Sequence, residues 1–128
     1  MTAGDDPFGT TRQGRPVKKF MVLYTSPKPA EEALAEASPE AAEAGMKMWM
    51  DWAAKAGDGI VDLGTPLGGT KVLDGSSIAD AEATLGGYSI IQADDLDAAV
   101  ALMKGHPHFM SGEGATIQIH ETLDIPGM

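Results

Sequence analysis

Three histidines, one aspartate on a short apolar strand and two tryptophans a helical turn apart are the residues of this chain best suited to chemistry. His106 and His108 flank a proline where a helical segment ends, so both rings can reach one pocket mouth. A neutral imidazole there serves as general base or ligand; alternatively, His106 caps the helix C-terminus, where a positive ring is favoured. His-Pro-His supplies two metal ligands, and spacing fixes no third, Glu113 included, so no metal site is expected. His120 sits on the last strand, opposite Ile117 and Ile119. If its face lines a pocket, it meets Asp62 as a base with an orienting carboxylate; if the face is a dimer seam or solvent, the ring is structural. Asp62 follows Ile60-Val61 and is expected to be partly buried or, as an edge residue, in water. Burial raises its pKa and a nearby histidinium lowers it, and either makes it usable in proton transfer. Trp49 and Trp52 either stack a flat ligand or pack on the sheet, and Trp52, nearer the helix end, is the better pocket wall. Tyr24 shares that wall. The candidate catalytic residues are therefore Asp62, His106 and His120, and the candidate substrate-binding residues are Tyr24, Trp49, Trp52 and His108.

Other chemistries are disfavoured. The chain has no cysteine, which removes disulfides, thiolate metal sites and cysteine nucleophiles and fits a cytoplasmic location. A net charge of −10 repels phosphate backbones and anionic lipid, and no basic stripe with aromatics is present, so neither nucleic acid nor membrane is an expected partner. No apolar run is long enough to span a bilayer, and no basic start precedes an apolar stretch. Gly68-Gly69 and Gly86-Gly87 lack the spacing of phosphate or dinucleotide loops and read as turns. Ser89 and Ser111 have no nucleophile motif around them. No cofactor is expected.

The 128 residues favour one domain. Residues 1–16 read as a mobile tail, and the domain is expected over 17–126. Val17 to Thr25 predicts a strand whose apolar run Phe20–Tyr24 needs cover on both faces. Ala30 to Ala37 predicts a short helix. Ser38-Pro39-Glu40 reads as the start of a longer one running to Ala56 and stopping at Gly57. Its apolar stripe is Ala42, Met46, Trp49, Trp52, Ala53 and Ala56, and Glu43 precedes Lys47 in the favourable order for an ion pair. Gly59 to Leu63 and Tyr88 to Gln92 predict strands, with Thr70 to Leu73 a short partner strand. Asp94-Asp95 opens a second helix with the stripe Leu96, Ala99, Val100 and Met103, ended by Gly105 and Pro107. Thr116 to Leu123 is the last strand. The order βαββαβ predicts an α+β, ferredoxin-like fold with two main helices on one face of an antiparallel sheet. The apolar residues left on the open face predict that two sheets pair in a homodimer.

From Lys18 to Leu123 the chain resembles the YCII-related family, also called the DGPF-domain group. The resemblance rests on the order and spacing of Lys19-Phe20-Met21-Val22-Leu23-Tyr24, Leu63-Gly64-Thr65-Pro66-Leu67, Leu85-Gly86-Gly87-Tyr88-Ser89-Ile90-Ile91, Ala93-Asp94-Asp95-Leu96-Asp97-Ala98-Ala99 and His106-Pro107. It implies a dimeric α+β barrel with a pocket in each subunit between sheet and first helix. Some relatives resemble lyases or dehydrochlorinases acting on small ring compounds through a histidine and an aspartate; many have no assigned activity. The histidine-bearing relatives carry that residue on the first helix, whereas Pro39 to Ala56 contains none, and they tend to have Asp-Pro where this chain has His106-Pro107. Their catalytic pair is therefore not carried over. Two functions follow as expectations: a cofactor-independent lyase- or isomerase-type enzyme with an Asp/His base, or a non-catalytic dimer that binds a small ligand or a protein.

Overall fold

Alternation along one strand organises the molecule. The computed structural model describes residues 11–12, 15–81, 84–110 and 112–127. Most of the expected tail lies outside the described residues; within it, strand β1 (Thr11–Arg12) pairs antiparallel with β2 (Arg15–Pro16). Strand β3 (Lys18–Thr25) sends Phe20, Val22 and Tyr24 into the core and leaves Met21 and Leu23 half-buried on the opposite face. Two helices follow, α1 (Ala30–Glu36) and α2 (Pro39–Ala56). Ser38 caps α2 by accepting the Ala41 N–H at 3.1 Å, Pro39 occupies the first turn, and Gly57 ends the helix at φ 56°.

Strand β4 (Ile60–Asp62) leads to a hairpin of β5 (Thr70–Leu73) and β6 (Ile78–Ala81). The partner of Thr70–Leu73 is thus Ile78–Ala81, a strand whose mixed Ile-Ala-Asp-Ala sequence gives little signal of its own. Strand β7 (Leu85–Ala93), helix α3 (Leu96–Met103) and strand β8 (Thr116–Glu121) complete the chain. The main sheet has the order β4-β7-β3-β8 and is antiparallel throughout. This is the α+β, ferredoxin-like arrangement expected from the βαββαβ order. Phe20, Val22, Tyr24, Ile91, Ala93, Trp52, Ala99 and Met103 form the core between sheet and helices.

The helix stripes are only partly covered. On α2, Trp52 is buried and Trp49, Ala53 and Ala56 are half-buried, but Ala42 and Met46 are exposed. On α3, Ala99 and Met103 are buried while Leu96 and Val100 border a surface groove. The contacts that bury α2 come from its C-terminal half alone. Lys47 pairs with Asp51 at 3.1 Å rather than with Glu43, one lysine having an acid a turn away on either side.

Candidate functional site

Three elements converge on one buried ring. Tyr24 lies near the end of β3, Trp49 and Trp52 come from the last turns of α2, and His106 follows the end of α3. Gly105, at φ 80°, turns the chain out of α3, and a short 3-10 turn over Pro107–Met110 follows. The His106 ring is stacked on Tyr24 with centroids 4.9 Å apart and meets Trp49 and Trp52 edge-on at 4.4 Å each. Only 1% of His106 is exposed.

The hydrogen bonds assign the tautomer. The His108 backbone N–H donates to His106 Nδ1 at 2.9 Å. A neutral imidazole with Nδ1 as acceptor carries its proton on Nε2. That Nε2–H is buried and has no hydrogen-bond partner among the described residues. Burial pushes the His106 pKa down to about 4, and repulsion from His108 adds to the shift. The ring is therefore neutral and, at neutral pH, a donor. This corrects the expectation of a positive capping ring: enclosure by three aromatic rings outweighs attraction to the helix dipole. His108 Nε2 donates to the Thr25 carbonyl at 2.8 Å, which ties the 3-10 turn to the end of β3.

Beneath the rings runs a polar chain that the sequence reading missed. Ser89 Oγ donates to the Leu63 carbonyl at 2.6 Å, so at the 2.8 Å contact between them Tyr24 OH is the donor to Ser89 Oγ. Burial pushes the Tyr24 phenol up to about 12. Ser89 is detectable in principle, since it shares the core face of β7 with Gly87 and Ile91 and is polar in an apolar row. The chain also holds the loop after β4. Gly64 sits there at φ 80°, and a Cβ on it would lie 1.7 Å from the Tyr88 carbonyl oxygen. Replacing Ser89 with alanine strands both the Tyr24 hydroxyl and the Leu63 carbonyl; about 1–3 kcal/mol of stability should be lost in urea denaturation. An unchanged midpoint would show that water replaces the serine.

The remaining candidates lie elsewhere. Asp62 is exposed rather than partly buried, because β4 is a three-residue edge strand, and its Oδ1 accepts the Gly64 N–H at 2.9 Å. His120 is exposed on the open face of β8, with Nε2 3.1 Å from Gln118 Oε1. β4 and β8 are opposite edges of the sheet, about 14 Å apart at the usual strand spacing. Asp62 and His120 therefore form no pair within one subunit. Among the described residues no group of three metal-ligating side chains is present, and no helix is long and apolar enough to cross a membrane. Two surface grooves are present, one of which takes Trp52 of the cluster as a wall. One, of about 360 Å³, is lined by Met48, Trp52, Lys55, Lys104 and Pro107, among others. The other, of about 330 Å³, lies between α3 and β8 and is lined by residues such as Leu96, Val100, Phe109 and Ile119.

An antiparallel sheet in βαββαβ order, with helices on one face and an aromatic–histidine cluster at their junction, makes this an α+β domain of ferredoxin-like type. The sequence matches the YCII-related domain over residues 19–122, and the chain belongs to that family. No curated protein matches it.

Proposed function

We propose that this YCII-related chain is a homodimer that binds a small molecule at the His106 cluster. The observation that carries the reading is the buried Nε2–H of His106, without a partner among the described residues and enclosed by rings from β3 and α2. Buried donors are ordinarily paired, and one without a protein partner suits an acceptor supplied from outside. Dimerisation is supported by the open sheet face, where Met21, Leu23, Tyr88 and Ile90 lie together in register and only half-buried. The cysteine-free composition supports a cytoplasmic site of action.

The enzymatic reading has one observation in its favour: a neutral imidazole fixed as an Nε2–H donor polarises a carbonyl. His106 would then be the electrophile of a lyase- or isomerase-type proton transfer and not its base. The base would be Asp62 or His120, neither of which joins the ring contacts of His106 within one subunit.

Two measurements on the full chain test the proposal. Sedimentation equilibrium should give a dimer, and Ile90→Lys on the open face should give a monomer. A thermal-shift screen against small uncharged ring fragments should yield compounds that raise the melting temperature and that no longer do so in His106→Leu. A monomeric parent removes the dimer. Hits that bind His106→Leu equally well remove the site. Conversion of a bound fragment to product decides for the enzyme.

A further inference from the structure

The chemistry inside the cluster restricts what it can hold. Its walls are Tyr24, Trp49 and Trp52, and the Tyr24 hydroxyl is already spent on Ser89. Among the described residues, His108 is the ionisable group whose charge acts on His106, and its Nε2–H is committed to the Thr25 carbonyl. A carboxylate drawn into such a place loses its hydration with no cation to offset the loss. An amine fares no better, since His106 Nδ1, the acceptor of the ring, is taken by the His108 N–H. The unmet group is a single neutral donor, and its natural complement is a neutral oxygen acceptor between aromatic walls.

Trp52 is the wall nearest an exit. It touches His106 on one side and lines the 360 Å³ groove on the other, together with Gly105 and Pro107 on either side of the histidine in sequence. Its indole N–H holds the ring in place through a 3.3 Å bond to the Leu102 carbonyl. Trp52 is thus the one side chain shared by the groove and the ring contacts of His106. Lys55 and Lys104 line the same groove without an ion-pair partner among the described residues, beside Asp51, which pairs with Lys47. Each stands at a helix C-terminus, where a cation offsets the dipole.

We propose that the ligand is an uncharged compound whose carbonyl oxygen accepts the His106 Nε2–H, entering past Trp52, and that carboxylates and amines are rejected. This rests on the small-molecule reading above and names the class of molecule. The lysines define the rival outcome, a carboxylate held in the outer groove.

Three single-ring probes of equal size separate these cases: benzamide, benzoate and benzylamine. The chain has two tryptophans, so the ¹H–¹⁵N spectrum of the full-length protein carries two indole N–H signals, assigned with Trp49→Phe. Benzamide should shift the Trp52 signal saturably, with an affinity at least about tenfold above that for benzoate or benzylamine. His106→Leu should abolish the preference, and His106→Gln, which keeps an N–H donor, should retain it. Benzoate binding as tightly as benzamide overturns the class and points to the outer groove, and the His106→Leu arm of the fragment screen then decides the small-molecule reading. No response to benzamide also overturns the class, and the fragment screen then decides the broader reading independently. If the His106 variants do not fold, the ranking of the three probes on the parent protein still decides.

Discussion

Replacing His106 with alanine should cost about 3 kcal/mol of stability, as large-to-small changes at a fully enclosed site do. The ring is held by Tyr24, Trp49 and Trp52 at centroid distances of 4.4–4.9 Å, and it accepts the His108 N–H. Alanine opens a void among three rings and strands that N–H. Because Tyr24 belongs to β3 and Trp49 and Trp52 to α2, the void loosens the junction of β3, α2 and the 3-10 turn together. Urea denaturation followed by tryptophan emission reads the loss directly, since both tryptophans border the void. A cost below about 1 kcal/mol would mean that the rings collapse into the space and that His106 is not the centre of the packing. His106→Gln separates volume from hydrogen bonding: it keeps donor and acceptor and should recover part of the loss.

Acid should destabilise the protein through the same ring. The His106 pKa is about 4 in the fold against an ordinary 6.5. Above the ordinary value both folded and unfolded chains hold the neutral ring, and stability is complete. As pH falls through 6.5 the unfolded chain takes up a proton that the folded one refuses, so the balance shifts towards unfolding. The loss continues until the folded ring also protonates near pH 4. Its full extent is about 2–3 kcal/mol, allowing for relaxation of the site. Melting curves taken between neutral pH and pH 4 should show this decline, and His106→Gln should remove most of it. An equal slope in that variant would assign the acid sensitivity to carboxylates instead.

Much of the architecture is legible in the residues. The unbroken run Phe20–Tyr24 announces a central strand, and Ser38-Pro39 with Gly57 brackets α2 to the residue. What alternation and helical period cannot give is which strand lies beside which. Asp62 and His120 each sit on a strand near apolar residues, and nothing local says that two other strands separate them. His106 shows a second limit. Its position after α3 is plain, but its burial depends on Trp49 and Trp52 arriving from a helix some fifty residues earlier. Strand β6, the partner of the expected Thr70–Leu73 strand, escapes for a third reason: its residues are almost all exposed, so burial imprints no pattern on them.

The order of strands has a bearing on how the chain acquires its shape during synthesis. β3, the first strand of the main sheet, is flanked by β7 and by β8, so Phe20 pairs with Ile91 on one side and with Glu121 on the other. A nascent chain emerging from a ribosome therefore exposes Phe20, Val22 and Tyr24 until β7 arrives about sixty residues later. Completion of the sheet must wait for β8, and such long-range closure is slow and exposed to aggregation in the interval. A ribosome stalled before β8 would hold a chain with an open edge along its central strand, a natural client for a chaperone.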